Sequence, residues 1–133
     1  MALSADLSGK RALVTGASSD GFGAHFARRL AECGAHVVVC ARRQAPLEAL
    51  VCEIEAAGGS AAALQMDVAD AASVTAALEQ AGPLDILVNN AGVEKSGSVL
   101  AMTEADNDYV LDINLKGVWL VTSSVARAMR DGG

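Results

Sequence analysis

The residues of this 133-residue chain that could do chemistry fall into a few short clusters. The first is the run Thr15-Gly16-Ala17-Ser18-Ser19-Asp20-Gly21-Phe22-Gly23, where three glycines and two serines join an apolar stretch to an amphipathic one. A glycine-rich turn between a strand and a helix turns backbone N–H groups and the positive helix end toward an anion, with no Cβ in the way. The chemistry this suits is the grip on a pyrophosphate. Arg42 and Arg43, Asp67 and Val68, the run Asn89-Asn90-Ala91-Gly92, and Asn114 supply further guanidinium, carboxylate and amide groups downstream.

Metal and thiol chemistry are not indicated. Cys33, Cys40 and Cys52 are odd in number and form no C-x-x-C pair, so they read as reduced, mostly buried thiols. His25 and His36 are isolated from each other and from any carboxylate cluster.

The elements that must position these groups are legible in the hydropathy pattern. Residues 12–15, 36–40 and 85–89 are strand-length and apolar on both faces, and 61–66 is a weaker fourth strand. Apolar runs without alternation are what a parallel sheet covered on both sides requires. Between them, 22–33, 45–57 and 71–81 carry apolar residues at helical spacing and end at Gly34, Gly58 and Gly82. A last helical region runs from Thr103 to about Arg130; Thr103 and Asp106 read as a capping pair, and Asn114 with Gly117 as a break inside it. Strand, helix, strand, repeated with short links, predicts right-handed βαβ units in one α/β doubly wound parallel sheet. Residues 1–133 are expected to form a single domain of this Rossmann type.

Composition sets outer bounds. Hydrophobic residues make up 52%, so a packed core is expected despite few aromatics. The net charge is −6, with a slightly basic stretch over 1–50 and an acidic one beyond. That is the wrong sign for a nucleic-acid partner, whose phosphates are neutralised by Lys and Arg. The longest uncharged stretch, 56–66, is far short of a membrane span. The N-terminal segment lacks the apolar core of an export signal, so a cytoplasmic location is expected.

The clusters fall at the predicted strand ends, where open α/β sheets bind ligands. Together they resemble the short-chain dehydrogenase/reductase family over essentially the whole chain, and Asn89-Asn90-Ala91-Gly92 is the most specific feature. The resemblance implies that Gly16, Ser18, Ser19, Gly21, Phe22 and Gly23 surround the cofactor phosphates. It implies that Asp67 accepts from the adenine amine while Val68 offers a backbone contact. Asn89, Asn90, Ala91 and Gly92 would line the ribose and nicotinamide approach, and Asn114 would be the asparagine of the catalytic tetrad. The cofactor expected is NADP, with NAD as the alternative, because Arg42 and secondarily Arg43 stand where an acidic residue would bind a ribose 2′-OH. The same position argues against other Rossmann classes such as methyltransferases. One departure is the loop length: the family has three residues between the first two glycines, and here there are four, with Asp20 expected to point to solvent.

The family's catalytic Ser, Tyr and Lys lie downstream of the asparagine. The sole tyrosine, Tyr109, has Ile113 four residues on and not a lysine, and reads as a helix residue packed in part against the sheet. Ser123 and Ser124 follow Asn114 too closely, and neither Lys95 nor Lys116 has a tyrosine at the right spacing. The chain is therefore expected to stop after the fourth βα unit and to be inactive alone. It carries the cofactor-binding half of an oxidoreductase acting on a carbonyl or alcohol, or else it is a non-catalytic dinucleotide-binding or regulatory module. Open sheet surface and the crowded apolar face of the last helix, from Val110 to Val125, lead to the expectation of a homo-oligomer.

Overall fold

The computed structural model describes residues 5–132; residues 1–4, part of the segment read for an export signal, and Gly133 lie outside the described residues. Strands β1 (Arg11–Thr15), β2 (His36–Ala41), β3 (Ser60–Gln65) and β4 (Ile86–Val88) alternate with helices α1 (Phe22–Glu32), α2 (Gln44–Ala56) and α3 (Ala71–Ala81). After β4 come α4 (Glu104–Leu111), a π-helical turn (Asp112–Lys116) and α5 (Gly117–Gly132). The sheet has the order β3-β2-β1-β4 and every pairing is parallel. The predicted doubly wound sheet is present.

Alternate strand residues feed two cores. Val14, Val37 and Val39 meet Ala24, Ala27 and Ala31 of α1 and Leu47, Leu50 and Ile54 of α2 on one face. Leu13, Val38 and Cys40 meet Val74, Ala77 and Ala81 of α3 and Val121 and Val125 of α5 on the other. Helices on both faces explain why β1 and β2 carry no polar alternation. The alanines of α1 let it lie close to the sheet, and the aliphatic side chains come mainly from the strands.

Several expectations are refined. Strand β3 starts one residue earlier than predicted, and β4 is three residues in place of 85–89. Its ladder partners are Ala12, Leu13 and Val14; beyond them the Asp85 N–H still donates to the Arg11 carbonyl of β1, while the Asn90 N–H turns to the Thr15 hydroxyl. The break in the last helix is realised as the π-helical turn holding Asn114, with Gly117 opening α5. Thr103 and Asp106 form a reciprocal capping box: the Asp106 N–H donates to Thr103 Oγ1 at 3.2 Å, and the Thr103 N–H to Asp106 Oδ2 at 3.1 Å.

Two readings of single residues are corrected. Cys52 is exposed because the buried face of α2 runs through Leu47, Leu50 and Ile54; Cys33, at the end of α1, is half-buried, and of the three Cys40 alone is fully buried. Burial pushes the Cys40 thiol up to about 12, so it stays protonated and inert. Tyr109 lies on α4, a helix with no buried residue, and is 41% exposed, so it is not packed against the sheet.

Leu47 is fully buried in the α1–α2 core. Leu47→Ala is therefore expected to lower stability by about 2–5 kcal/mol in urea unfolding. A loss below about 1 kcal/mol would contradict this packing of α2.

Candidate functional site

Strand β1 lies between β2 and β4, and the connections after them leave toward opposite faces. In such sheets a crevice opens at the carboxyl ends where the strand order reverses. Here it is a cleft of about 590 Å³ outside the ends of β1, β2 and β3 and the segment after β4. From the expected set it gathers Gly16, Ser18, Ser19, Phe22, Gly23, Arg42, Arg43, Asp67, Val68, Asn90, Ala91 and Gly92. Gly21, Asn89 and Asn114 are outside its lining.

The floor is built by close backbone approach. Gly16 has φ +70°, and a Cβ there would sit 2.6 Å from Ala91 Cα. A Cβ on Gly23 would sit 2.5 Å from Asn90 Nδ2 and 2.6 Å from the Gly16 carbonyl oxygen. Any side chain at either position collides with the segment after β4. Gly21 caps α1 without a side-chain bond, and the first turn of the helix contains no acidic residue. That leaves the positive end of α1 open to an anion.

A residue outside the expected set ties this floor together. Thr15 is 1% exposed, and its Oγ1 accepts from the N–H groups of both Asn90 and Ala91 at 3.0 Å. Asn90 replies by donating its Nδ2 to the carbonyls of Thr15 at 3.0 Å and Gly16 at 3.1 Å. The signal for Thr15 was a hydroxyl closing an otherwise apolar buried strand, where a polar group needs partners. Asn89 faces elsewhere and donates to Thr122 Oγ1 of α5 at 2.8 Å.

Arg43 crosses to the first loop, donating to the Ser18 carbonyl at 2.7 Å. Arg42 is held through its backbone, its carbonyl accepting from Gln65 Nε2 at 2.8 Å, while its guanidinium has no partner among the described residues. Asp67 Oδ1 accepts from the Ala69 N–H at 3.0 Å, which fixes the carboxylate after β3. Asn114 uses both ends of its amide on Val93: Oδ1 accepts from the N–H and Nδ2 donates to the carbonyl, each at 2.8 Å. Val93, Ile113, Met66 and Ala41 add apolar lining that the sequence reading did not include. Asp20 points out as expected, 89% exposed, with its carboxylate 3.1 Å from Arg28.

A sequence model of the short chain dehydrogenase family matches residues 10–133. The chain belongs to the short chain dehydrogenase family. It is 45% identical over 127 residues to the oxidoreductase UcpA of Salmonella typhimurium, covering 92% of this chain and 48% of that protein. It superposes on a short-chain type dehydrogenase/reductase from Mycobacterium marinum with a TM-score of 0.92 at 40% identity, covering 96% of this chain and 53% of that one. A metagenomic short-chain oxidoreductase solved in complex with NADP gives a TM-score of 0.85 at 41% identity, covering 92% and 57%. The short chain dehydrogenase chain described here thus spans about half the length of the curated relatives it matches.

Among the described residues there is no cluster of three or more His, Cys, Asp or Glu able to hold a metal, and no helix long and apolar enough to cross a membrane.

Thr15→Val keeps the shape of the side chain and strands two part-buried N–H donors, each worth up to about 1–3 kcal/mol when unpaired. It is expected to unfold at lower urea than Thr15→Ser, by at least about 1 kcal/mol. Equal stability of the two variants would show that the hydroxyl does not lock the two strand ends.

Proposed function

We propose that this chain binds a nicotinamide dinucleotide in the cleft and is the cofactor-binding half of an oxidoreductase that interconverts a carbonyl and an alcohol. The observation that carries the reading is the floor of Gly16 and Gly23, where no Cβ fits, beside the open end of α1 and the unpartnered Arg42. The residues present fit such a cofactor. Gly16, Ser18, Ser19, Gly21, Phe22 and Gly23 would hold the pyrophosphate against the α1 end. Asp67 would accept from the adenine amine through the oxygen that Ala69 leaves open, with the Val68 backbone beside it. Asn90, Ala91 and Gly92 would border the ribose and nicotinamide, with Asn89 behind them, bonded to Thr122 of α5. When bound, the nicotinamide supplies or accepts the hydride. The residues of this chain bind and orient it, and Asn114, the family's asparagine, fixes Val93 at the cleft wall.

A second reading is a dinucleotide-binding module without chemistry of its own. It is favoured by Tyr109, which is followed at four residues by Ile113 and lies on α4 outside the cleft lining. Both readings place the same cofactor in the same cleft and a soluble, small-molecule role for the whole protein in the cytoplasm.

The cofactor proposed is NADP, as bound by the metagenomic relative. Arg43 is committed to Ser18, so Arg42 is the guanidinium left for a 2′-phosphate. Calorimetric titration should show NADP binding more tightly than NAD, and Arg42→Ala should weaken NADP about tenfold while leaving NAD unchanged. Equal affinity of the unaltered chain for the two cofactors would overturn the preference.

We also propose that the chain self-associates. Leu115 is 66% and Trp119 62% exposed on the outer side of the last helical rod, while Ile113, Val121 and Val125 are buried on its inner side. Sedimentation velocity at micromolar concentration should show a dimer or larger species. A single monomeric species unfolding cooperatively would refute it.

A further inference from the structure

The loop around the proposed pyrophosphate position carries a charge of the wrong sign. Asp20 stands between Ser19, which lines the cleft, and Gly21, which caps α1. A carboxylate there, one residue from the helix end that would face an anion, repels a dinucleotide unless it is turned away and neutralised. The structure does both through one side chain. Arg28, two turns along α1, donates Nη1 to Asp20 Oδ1 at 3.1 Å. Its Nη2 and Nε donate to Glu53 Oε2 of α2 at 2.8 and 3.2 Å. The two carboxylates beside it hold the guanidinium firmly charged, Glu53 contributing more than Asp20. Arg28 therefore joins the loop, α1 and α2, the helix that starts directly after Arg42 and Arg43.

We propose that Arg28 is a positioning residue for the dinucleotide cleft: braced by Glu53, it draws Asp20 outward and keeps its charge off the anion site. This rests on the dinucleotide reading above. The Asp20 side chain is 89% exposed and its one ion-pair partner among the described residues is on α1, so its orientation depends on that contact. Glu53, with its side chain 58% exposed, supplies the anchor on the far side. Exposed ion pairs are worth little for global stability. The contact matters here for where a charge sits, not for holding the fold.

A four-protein cycle tests this on the full chain: unaltered, Arg28→Met, Asp20→Asn and the double variant, each titrated with NADP at low and high salt. Arg28→Met should weaken NADP about two- to fivefold at low salt, with the loss shrinking as salt screens the repulsion. In the Asp20→Asn background the same change should have no effect, because no charge remains to be drawn away. Equal weakening in both backgrounds would assign Arg28 a purely structural role between α1 and α2 and overturn the proposal, as would no weakening in either. Amide hydrogen exchange without cofactor separates this from the dinucleotide reading. If the unaltered chain binds neither NADP nor NAD, that reading fails. Faster exchange of the Ser19 to Gly21 amides in Arg28→Met then still supports the tether, and unchanged exchange refutes it.

Discussion

The hydroxyl of Thr15 is the point on which the cleft depends. The β1–β4 ladder ends at the pair Val14 and Val88, so nothing in the sheet itself holds the next residues together. Thr15 takes over where the ladder stops, accepting from two successive N–H groups, and the Asn90 amide returns two bonds to the Thr15 and Gly16 carbonyls. This interlock draws the segment after β4 so near the first loop that glycine is the residue that fits at 16 and at 23. The close floor of the cleft follows from this interlock of four hydrogen bonds. Buried polar groups that are fully satisfied fix geometry in this way, whereas a partly satisfied network would not.

Charge is distributed to serve the same end. The chain is acidic overall at −6, yet the corner of the cleft after β2 holds two arginines. They do different work although they are adjacent: Arg43 braces the first loop through Ser18, and Arg42 keeps its guanidinium available. At the opposite end of the sheet the polar groups have structural duties. Asp85 is held below the usual carboxylate range, chiefly by the Arg11 N–H and with help from Lys10, and so ties β4 to the start of β1. His36, across from it on β2, is pushed down by burial and by Arg11 and bonds Ser60. The charged residues that line the cleft thus all lie at the carboxyl ends of the strands.

How much of this could be read from sequence depends on the range of the interaction concerned. The parallel sheet was legible because Leu13, Val14, Val37, Val38 and Val39 are apolar in succession, which only a sheet covered on both faces tolerates. The first loop was legible because its glycines sit between a strand and a helix. Asn89 and Asn90 were not separable, since one points toward α5 and the other toward β1, and that choice is set by partners 33 and 75 residues away in the chain. The bonds of Thr15 to Asn90 and Ala91 were not legible for the same reason. The exposure of Cys52 and Tyr109 was not legible because such residues favour burial, while the helix phase that exposes them is fixed by Leu47, Leu50 and Ile54 in one case and by α4 having no buried residue in the other. The Asn114 break was visible as an asparagine and a glycine in a helical stretch; its π-helical form was not, because it follows from the two bonds to Val93.

Those two bonds link the cleft wall to the last helical rod. Along that rod Ile113, Gly117, Val121 and Val125 face inward at intervals of four, while Leu111, Leu115 and Trp119 form an outer stripe at the same interval. The wider π-helical turn lets Ile113 and Gly117 share the inner face across the break, which places Gly117 against Val68 so closely that a Cβ would meet Val68 Cγ2 at 2.8 Å. Val68, Val93 and Ile113 all line the cleft. Val68 and Val93 of the cleft lining are therefore held directly on the element whose outer stripe is bare. The apolar stripe and the cleft wall are two sides of one structural element, joined by the Asn114 bonds to Val93 and the close approach of Gly117 to Val68.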